Sequence, residues 1–211
     1  MRDDRPTDFS ENSASRPVRA IFIFSHRKFY ESYVATAWDK LGLRPVAWLG
    51  DYRLMPFAQA RFGGHSVFAD YRELMSGSFQ RISKDPQKVA EAMADFVASS
   101  FFAKVEHQLL NEFNRATDFW LTRAVDREAR LREIVFHLMG IFVDQNPEVL
   151  VASETPHDVV DLTAFYIAQW RGTPTLFFQP TSTIGPGLIP RTSLTEIMKI
   201  EQPSDSVSQQ A

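Results

Sequence analysis

Short apolar segments that alternate with polar loops predict a β-sheet whose two faces are both covered. Residues 20–24, 46–49, 149–152 and 175–178 are each apolar at consecutive positions, and a polar loop follows each of them. Consecutive apolar positions are typical of parallel strands packed between layers of helices. We therefore predict that these four segments are neighbouring parallel strands of one sheet.

Apolar residues at helical spacing predict the connections between the strands. Apolar side chains four residues apart predict a helix over 29–41, which Gly42 ends. Asp85 and Pro86 are suited to begin another helix, because Asp is a preferred N-cap and Pro fits the first turn. Further helices are predicted over 85–113, 121–142 and 156–171, the first two as a long antiparallel pair, whereas 52–64 is predicted to be irregular.

Strands that alternate with helices predict an α/β fold, a Rossmann-like open parallel sheet with the long helical pair inserted into it. The strand order is left open, because a flavodoxin-like order and a standard doubly wound order both fit the pattern. Polar sequence without periodicity predicts mobile tails at 1–17 and 201–211. The residues between them, 18–200, are predicted to form a single α/β domain.

Composition and charge narrow the classes of function. The 211 residues include 23 Lys and Arg against 26 Asp and Glu, a net charge of −3, so no nucleic-acid partner is expected. The chain has no cysteine, which excludes disulfides, thiolate metal sites and a cysteine nucleophile. No apolar run approaches the roughly 20 residues of a membrane helix, and no export signal is visible. We predict a cytoplasmic protein, and peripheral membrane contact is left open.

Candidate chemistry lies in the loops that follow the strands, because ligands of open parallel sheets bind beyond the carboxyl ends of the strands. Two of these loops carry a histidine. We expect the side chains of His26, Asp51, Glu154, His157 and Gln179 to converge on one face. The candidate ligand-binding residues are Ser25, His26 and Arg27 after the first strand, Asp51 after the second, Asp161 after the third and Gln179 after the last.

The loop after the third predicted strand is the most informative. Thr155 is expected to cap the next helix, with Pro156 and Asp158 in its first turn. His157 and Asp161 are four apart, so a pair on one helical face would raise the pKa of the histidine. His157 is explained equally well as a residue that contacts a ligand and as a residue at the start of the helix without a chemical role. Glu154 is either an acid or base or a solvated loop carboxylate. The segment from Ser25 to Lys28, with two cationic side chains, fits either an anion site or an ordinary surface.

The sequence lacks the motifs of several common cofactor-binding and catalytic sites. The chain has no glycine-rich dinucleotide fingerprint, no phosphate-binding P-loop and no nucleophile elbow. Its five histidines include no close pair of the kind that binds zinc. We therefore predict no cofactor and no metal.

Residues 148–187 carry a resemblance to a known family. A strand leads into Thr155-Pro156-His157, Asp161 follows one turn on, the helix ends at Gly172, and the last strand reaches Gln179 before a Gly/Pro-containing loop. This combination resembles the N-terminal domain of capsular and surface polysaccharide biosynthesis proteins, which are similar to glycosyltransferases of the GT-B fold. The resemblance covers about a fifth of the chain.

The resemblance implies a role in building a cell-surface glycan from activated sugars. In the GT-B fold the acceptor lies on the N-terminal domain and the nucleotide-sugar donor mainly on the C-terminal one. We expect this chain to bind the acceptor side, with His157 or Glu154 as the base for the acceptor hydroxyl. A donor domain is expected to be absent, so the chain alone should not transfer sugar, and a partner protein that carries such a domain is left open.

A second class of function stays open beside the enzyme. The same edge of the sheet would hold a glycan or a nucleotide without catalysis, and the long helices would dock a partner in an assembly.

Overall fold

The structure is a computed structural model, and it describes residues 16–24, 42–63, 66–81, 83–116, 124–181 and 187–191. The helix predicted over 29–41 and most of both predicted tails lie outside these residues.

The described strands form one six-stranded sheet in which β1 to β5 are parallel and β6 is antiparallel. The strand order is β3-β2-β1-β4-β5-β6. The four segments predicted as neighbouring parallel strands therefore lie next to one another, and this prediction is confirmed. The strands are β1 (Val18–Phe24), β2 (Leu43–Gly50), β3 (Val67–Asp70), β4 (Val149–Ala152), β5 (Thr175–Thr181) and β6 (Gly187–Arg191).

The order of the strands decides between the two topologies that the sequence leaves open. The chain builds outward from β1 through β2 to β3, then crosses back to the other side of β1 and continues with β4 and β5. This is the doubly wound order, not the flavodoxin-like one. Its switch point lies between the carboxyl ends of β1 and β4, the position at which doubly wound sheets form a ligand-binding crevice, and we refer to this position as the crevice.

Helices cover both faces of the sheet. The smaller core cluster joins Phe22, Trp48 and Val151 of the sheet to Leu54 and Ala58. The larger cluster, on the other face, contains buried residues of the five later helices. The helices are α1 (Met55–Phe62), α2 (Tyr71–Ser76), α3 (Pro86–Ala98), α4 (Ser100–Ala116), α5 (Ala124–Gln145) and α6 (Val159–Trp170). In the described part of the chain, no helix is long and apolar enough to cross a membrane.

The helix predicted over 85–113 is interrupted at Ser99. Its predicted start is confirmed, because the Asp85 side chain accepts a hydrogen bond from the Lys88 amide at 3.1 Å. The Ser99 hydroxyl donates to the Phe96 carbonyl at 2.5 Å and accepts from the Phe102 amide at 3.1 Å. The Ser99 hydroxyl thus takes hydrogen bonds that backbone groups would make with one another in a continuous helix. The spacing of the apolar residues does not reveal this interruption.

The prediction that 52–64 is irregular is wrong. Tyr52–Leu54 forms a 3-10 turn, α1 follows directly with a proline in its first turn, and Leu54 and Ala58 are buried. Strands β3 and β6 were not predicted either. β3 has the same length as β4, four residues, but it ends in an aspartate and has only three consecutive apolar positions, whereas β4 is apolar throughout.

Candidate functional site

The loop after β4 lies at the switch point of the sheet. The Ser153 amide donates to the Ile23 carbonyl at 2.9 Å, so β1 and β4 stay connected up to their carboxyl ends. Residues 154–158 then cross the edge of the sheet before α6 begins. The helix that carries Asp161 is therefore anchored directly beside the crevice.

The predicted start of this helix is wrong. The helix begins at Val159 and its N-cap is Asp158, not Thr155, and the Asp158 side chain makes no capping hydrogen bond. Both residue types are accepted N-caps, and the general preference for Asp over Thr agrees with the structure. His157 consequently precedes the helix and does not share a helical face with Asp161, and the expected His157–Asp161 pair is not formed.

His157 makes a different contact, which fixes its tautomer. Its Nδ1 atom lies 3.0 Å from the carbonyl oxygen of Thr155. Because a carbonyl oxygen only accepts, Nδ1 carries the hydrogen, and in the neutral ring the lone pair is then on Nε2. Burial opposes protonation, but the Thr155 contact and the carboxylates of Asp158, Glu154 and Asp161 outweigh it and raise the pKa of His157 from 6.5.

The half-buried Tyr71 and the buried Asp161 form a hydrogen-bonded pair beside the crevice. The Tyr71 hydroxyl donates a hydrogen bond to Asp161 Oδ1, and Asp161 is 2% exposed. Burial raises the pKa of Asp161 to about 7, although the hydrogen bond from Tyr71 acts to lower it. Burial and the nearby Asp161 also raise the pKa of Tyr71 well above 10.

The Tyr71–Asp161 bond joins elements that are not neighbours in the sheet. Tyr71 follows β3 and Asp161 lies in the first turn of α6 after β4, and β2 and β1 lie between these strands. Glu154 and Asp158 act electrostatically on both members of the pair. The surroundings of the pair are therefore acidic. Sequence reasoning missed Tyr71, because the strand that positions it was not predicted.

Asp51, a predicted ligand-binding residue, lies at the end of β2 and is held by Arg53. Its carboxylate accepts from the Arg53 backbone amide at 2.8 Å and from Arg53 Nε at 2.9 and 3.0 Å. These hydrogen bonds lower the pKa of Asp51 more than burial raises it. Asp51 thus caps the 3-10 turn after β2 as well as lying at the edge.

The next corner of the edge combines an aromatic ring with a buried carboxyl group. Arg72 lies over the ring of Tyr52, with its guanidinium carbon 4.6 Å from the ring centroid. Asp70 caps α2 by accepting from the Arg72 and Glu73 amides at 2.6 and 3.3 Å. Its other oxygen, Oδ2, is buried and has no hydrogen-bond partner within the described ranges.

The structure brings some of the predicted site residues together and leaves others open. Glu154, His157 and Asp161 lie in one loop and the helix that follows it, and Asp51 lies on the same edge of the sheet. Ser25, His26 and Arg27 lie outside the described residues. Gln179 belongs to β5, but the structure does not describe its side chain. The convergence of all five residues stays a prediction.

The described side chains of the site can accept hydrogen bonds from hydroxyl groups of a ligand. Among the described residues, no group of three or more His, Asp or Glu side chains is placed to hold a metal ion. Carboxyl oxygens and a neutral imidazole nitrogen accept hydrogen bonds, and hydroxyl groups donate them.

Fold and site together define a doubly wound α/β protein with polar side chains at its switch point. Compared with models of known protein families and with curated proteins, the chain matches neither a family model nor a curated relative.

Proposed function

We propose that this chain provides the acceptor side of a glycosyltransferase-like reaction that builds a capsular or surface polysaccharide in the cytoplasm. The observation that carries the proposal is the fixed orientation of His157 at the switch point, with Nδ1 engaged by Thr155 and the lone pair on Nε2. The resemblance of residues 148–187 to polysaccharide biosynthesis proteins supplies the class of substrate. A nucleotide-sugar donor would be held by a second domain or by a partner protein.

His157 acts as the general base in this proposal. Its Nε2 accepts the proton of an acceptor hydroxyl while the oxygen bonds to the anomeric carbon of the donor, and the nucleoside diphosphate leaves with the electron pair of the broken bond. Glu154, Asp158 and Asp161 then stabilise the positive imidazolium, since these carboxylates already raise the pKa of His157. A base with a pKa near the working pH is the most effective one.

The test is an NMR titration of the imidazole resonances of the whole chain with a panel of neutral and acidic saccharides. We expect at least one saccharide to shift the His157 resonances. The His157→Ala variant should weaken binding by about threefold to tenfold, as expected for one lost hydrogen bond.

The matched control is His107→Ala, because His107 is exposed on α4, away from the edge. This variant should leave binding unchanged. A panel in which every saccharide leaves the His157 resonances in place would contradict the proposal. Binding that shifts His157, combined with a transfer rate that His157→Ala does not reduce once donor and partner are supplied, would favour the non-catalytic glycan-binding module instead.

A further inference from the structure

We propose that Tyr52 and Asp70 form a subsite for a neutral sugar ring, which stacks on Tyr52 and donates one hydroxyl hydrogen bond to Asp70 Oδ2. The inference rests on the proposed function, because it names the class of saccharide that the same edge accepts.

Sheet register places the two residues in one corner of the molecule. Gly50 at the end of β2 and Asp70 at the end of β3 are paired Cα partners. Tyr52 follows two residues after Gly50, Arg72 follows two residues after Asp70, and the Arg72 guanidinium lies 4.6 Å from the centre of the Tyr52 ring. The ring and the carboxyl group are therefore held by the same pair of strand ends.

Tyr52 provides the stacking surface. It is 48% exposed, one of the few large hydrophobic residues of the described chain that face water. The contact with Arg72 fixes the ring from one side, which removes part of the entropic cost of ordering it when a ligand binds. Aromatic rings of this kind, combined with a small number of placed polar groups, are the usual lining of small-molecule sites.

Asp70 provides the hydrogen-bond acceptor. It is 5% exposed, and Oδ1 is used by the amides at the start of α2. Oδ2 is buried and lacks a partner within the described part of the chain, which is costly for a polar atom. A sugar hydroxyl supplies the missing donor. Because Oδ2 is covered in the free protein, binding requires a small shift of the side chains around the start of α2.

The charges on this edge favour a neutral sugar over an acidic one. Arg72 lies beside Tyr52 and offsets the charge of Asp70, so the excess negative charge comes from Glu154 and Asp158 across the crevice, which would repel a carboxylate or phosphate on the ligand. Arg53 is already bound to Asp51. The ends of β2 and β4 are two strand spacings, or about 10 Å, apart. A short oligosaccharide on Tyr52 thus reaches towards His157.

The experiment measures dissociation constants of the whole chain for maltose, lactose and chitobiose, with glucuronic acid and N-acetylneuraminic acid as acidic probes. We expect the neutral disaccharides to bind about tenfold or more tightly than the acidic sugars. Tyr52→Ala should weaken their binding by about threefold to tenfold, whereas Tyr52→Phe, which keeps the ring, should stay within about twofold.

Asp70→Asn tests the acceptor without removing the cap. The amide oxygen still accepts from the backbone of α2, but the amide nitrogen takes the position of Oδ2 and cannot accept a hydroxyl hydrogen. We expect binding to weaken about tenfold. Phe57→Ala is the matched control, because Phe57 is another partly exposed aromatic residue, placed on α1, and its loss should change binding by less than about twofold.

The outcomes separate this inference from the proposed function. If neutral disaccharides shift the His157 resonances but bind the Tyr52→Ala and Asp70→Asn variants as tightly as the parent chain, the subsite is overturned and the proposed function stands. If the acidic sugars bind more tightly than the neutral disaccharides, the assignment of a neutral sugar as the ligand is overturned. Absence of binding by every saccharide, together with unmoved His157 resonances, would overturn both.

Discussion

The carboxyl group of Asp161 takes up a proton as the protein folds. In the folded state burial raises its pKa to about 7, from 3.8 in an exposed setting. Between about pH 4 and pH 7 the folded protein therefore carries a proton on Asp161 that the unfolded chain does not. The hydrogen bond from Tyr71 is the contact that limits this shift.

Asp161→Asn is expected to remove a pH dependence of stability. Because the folded state binds the extra proton, the free energy of unfolding falls as pH rises from about 4 to about 7 and then levels off, by a few kcal/mol in all, on the order of 1.4 kcal/mol per pH unit. An asparagine does not titrate, so the variant should lose less stability between pH 5 and pH 8. Urea unfolding at both pH values measures the difference.

The control for this measurement is Asp95→Asn, because Asp95 is exposed on α3. It should follow the pH dependence of the parent chain. A parallel pH dependence of Asp161→Asn and the parent chain would show that Asp161 is ionised in the folded protein over the whole range.

Tyr71→Phe is expected to move the pKa of Asp161 further upward. The phenol hydrogen bond favours the charged carboxylate, so its loss leaves burial less opposed. The variant should also lose about 1–2 kcal/mol of stability. Carbon-detected NMR of the Asp161 carboxyl group follows the titration. Tyr166→Phe, which removes a hydrogen bond to Gln108, should lower stability without moving the Asp161 titration, and a downward shift of that titration in Tyr71→Phe contradicts the account.

At the scale of elements, length and periodicity determine which parts of the fold the sequence predicts. Strands β1, β2, β4 and β5 are recognisable because apolar residues occupy consecutive positions. β3 has only three such positions before Asp70, so the pattern predicts neither this strand nor the placement of Tyr71 at its end. The sequence predicts the start of α6 three residues too early, because Pro156 suits a first helical position and so favours Thr155 as N-cap, whereas the structure uses Asp158, the residue type with the stronger capping preference.

Gly140→Ala is expected to stabilise the protein. Gly140 is buried within α5, where glycine costs about 1 kcal/mol relative to alanine. An added methyl group would lie 3.8 Å from the side chain of Val89, which is ordinary van der Waals contact. We expect a gain of about 0.5–1 kcal/mol, measured by urea unfolding.

Gly77→Ala is the contrasting variant, because Gly77 ends α2 with a φ of +75° and a methyl group there would meet the Arg130 guanidinium. It should lose about 1–2 kcal/mol. A loss of stability in Gly140→Ala would mean that α3 and α5 pack more tightly than the structure shows.

At the scale of the whole molecule, the chain must cross from β3 to β4, and one carboxylate secures this crossing. Asp144 near the end of α5 accepts hydrogen bonds from Arg81 at 2.8 Å, from the Ser83 hydroxyl at 2.7 Å and from the Lys84 amide at 3.2 Å. Its side chain is 2% exposed. The segment between α2 and α3 is thereby tied to the helix that leads into β4.

Asp144→Ala is expected to lower the free energy of unfolding by about 3 kcal/mol, because it leaves a largely buried guanidinium and two further donors without their acceptor. Glu128→Ala, at an exposed position of the same helix, should cost less than about 0.5 kcal/mol. The double variant Arg81→Ala/Asp144→Ala should be little worse than Asp144→Ala alone. Additive losses in this cycle would contradict a shared network.

Long-range pairing explains why the site could be predicted only in part. The loops that carry Asp51, Glu154 and His157 follow from the rule that ligands bind at carboxyl ends of strands. The strand order depends on contacts such as Ala20 with Val149, which no local pattern encodes. The Tyr71–Asp161 bond depends on that order as well, because it spans two intervening strands.

The two helices that the Tyr71–Asp161 hydrogen bond joins differ in how firmly they are attached to the core. Ten of the twelve residues of α6 are buried, so Asp161 is fixed to the interior. The other helix, α2, has six residues, of which Leu74 is the buried one. We therefore expect a ligand that needs space to displace α2 and not α6. The hydrogen bond from the Tyr71 hydroxyl to Asp161 then joins the helix that moves to the helix that stays fixed.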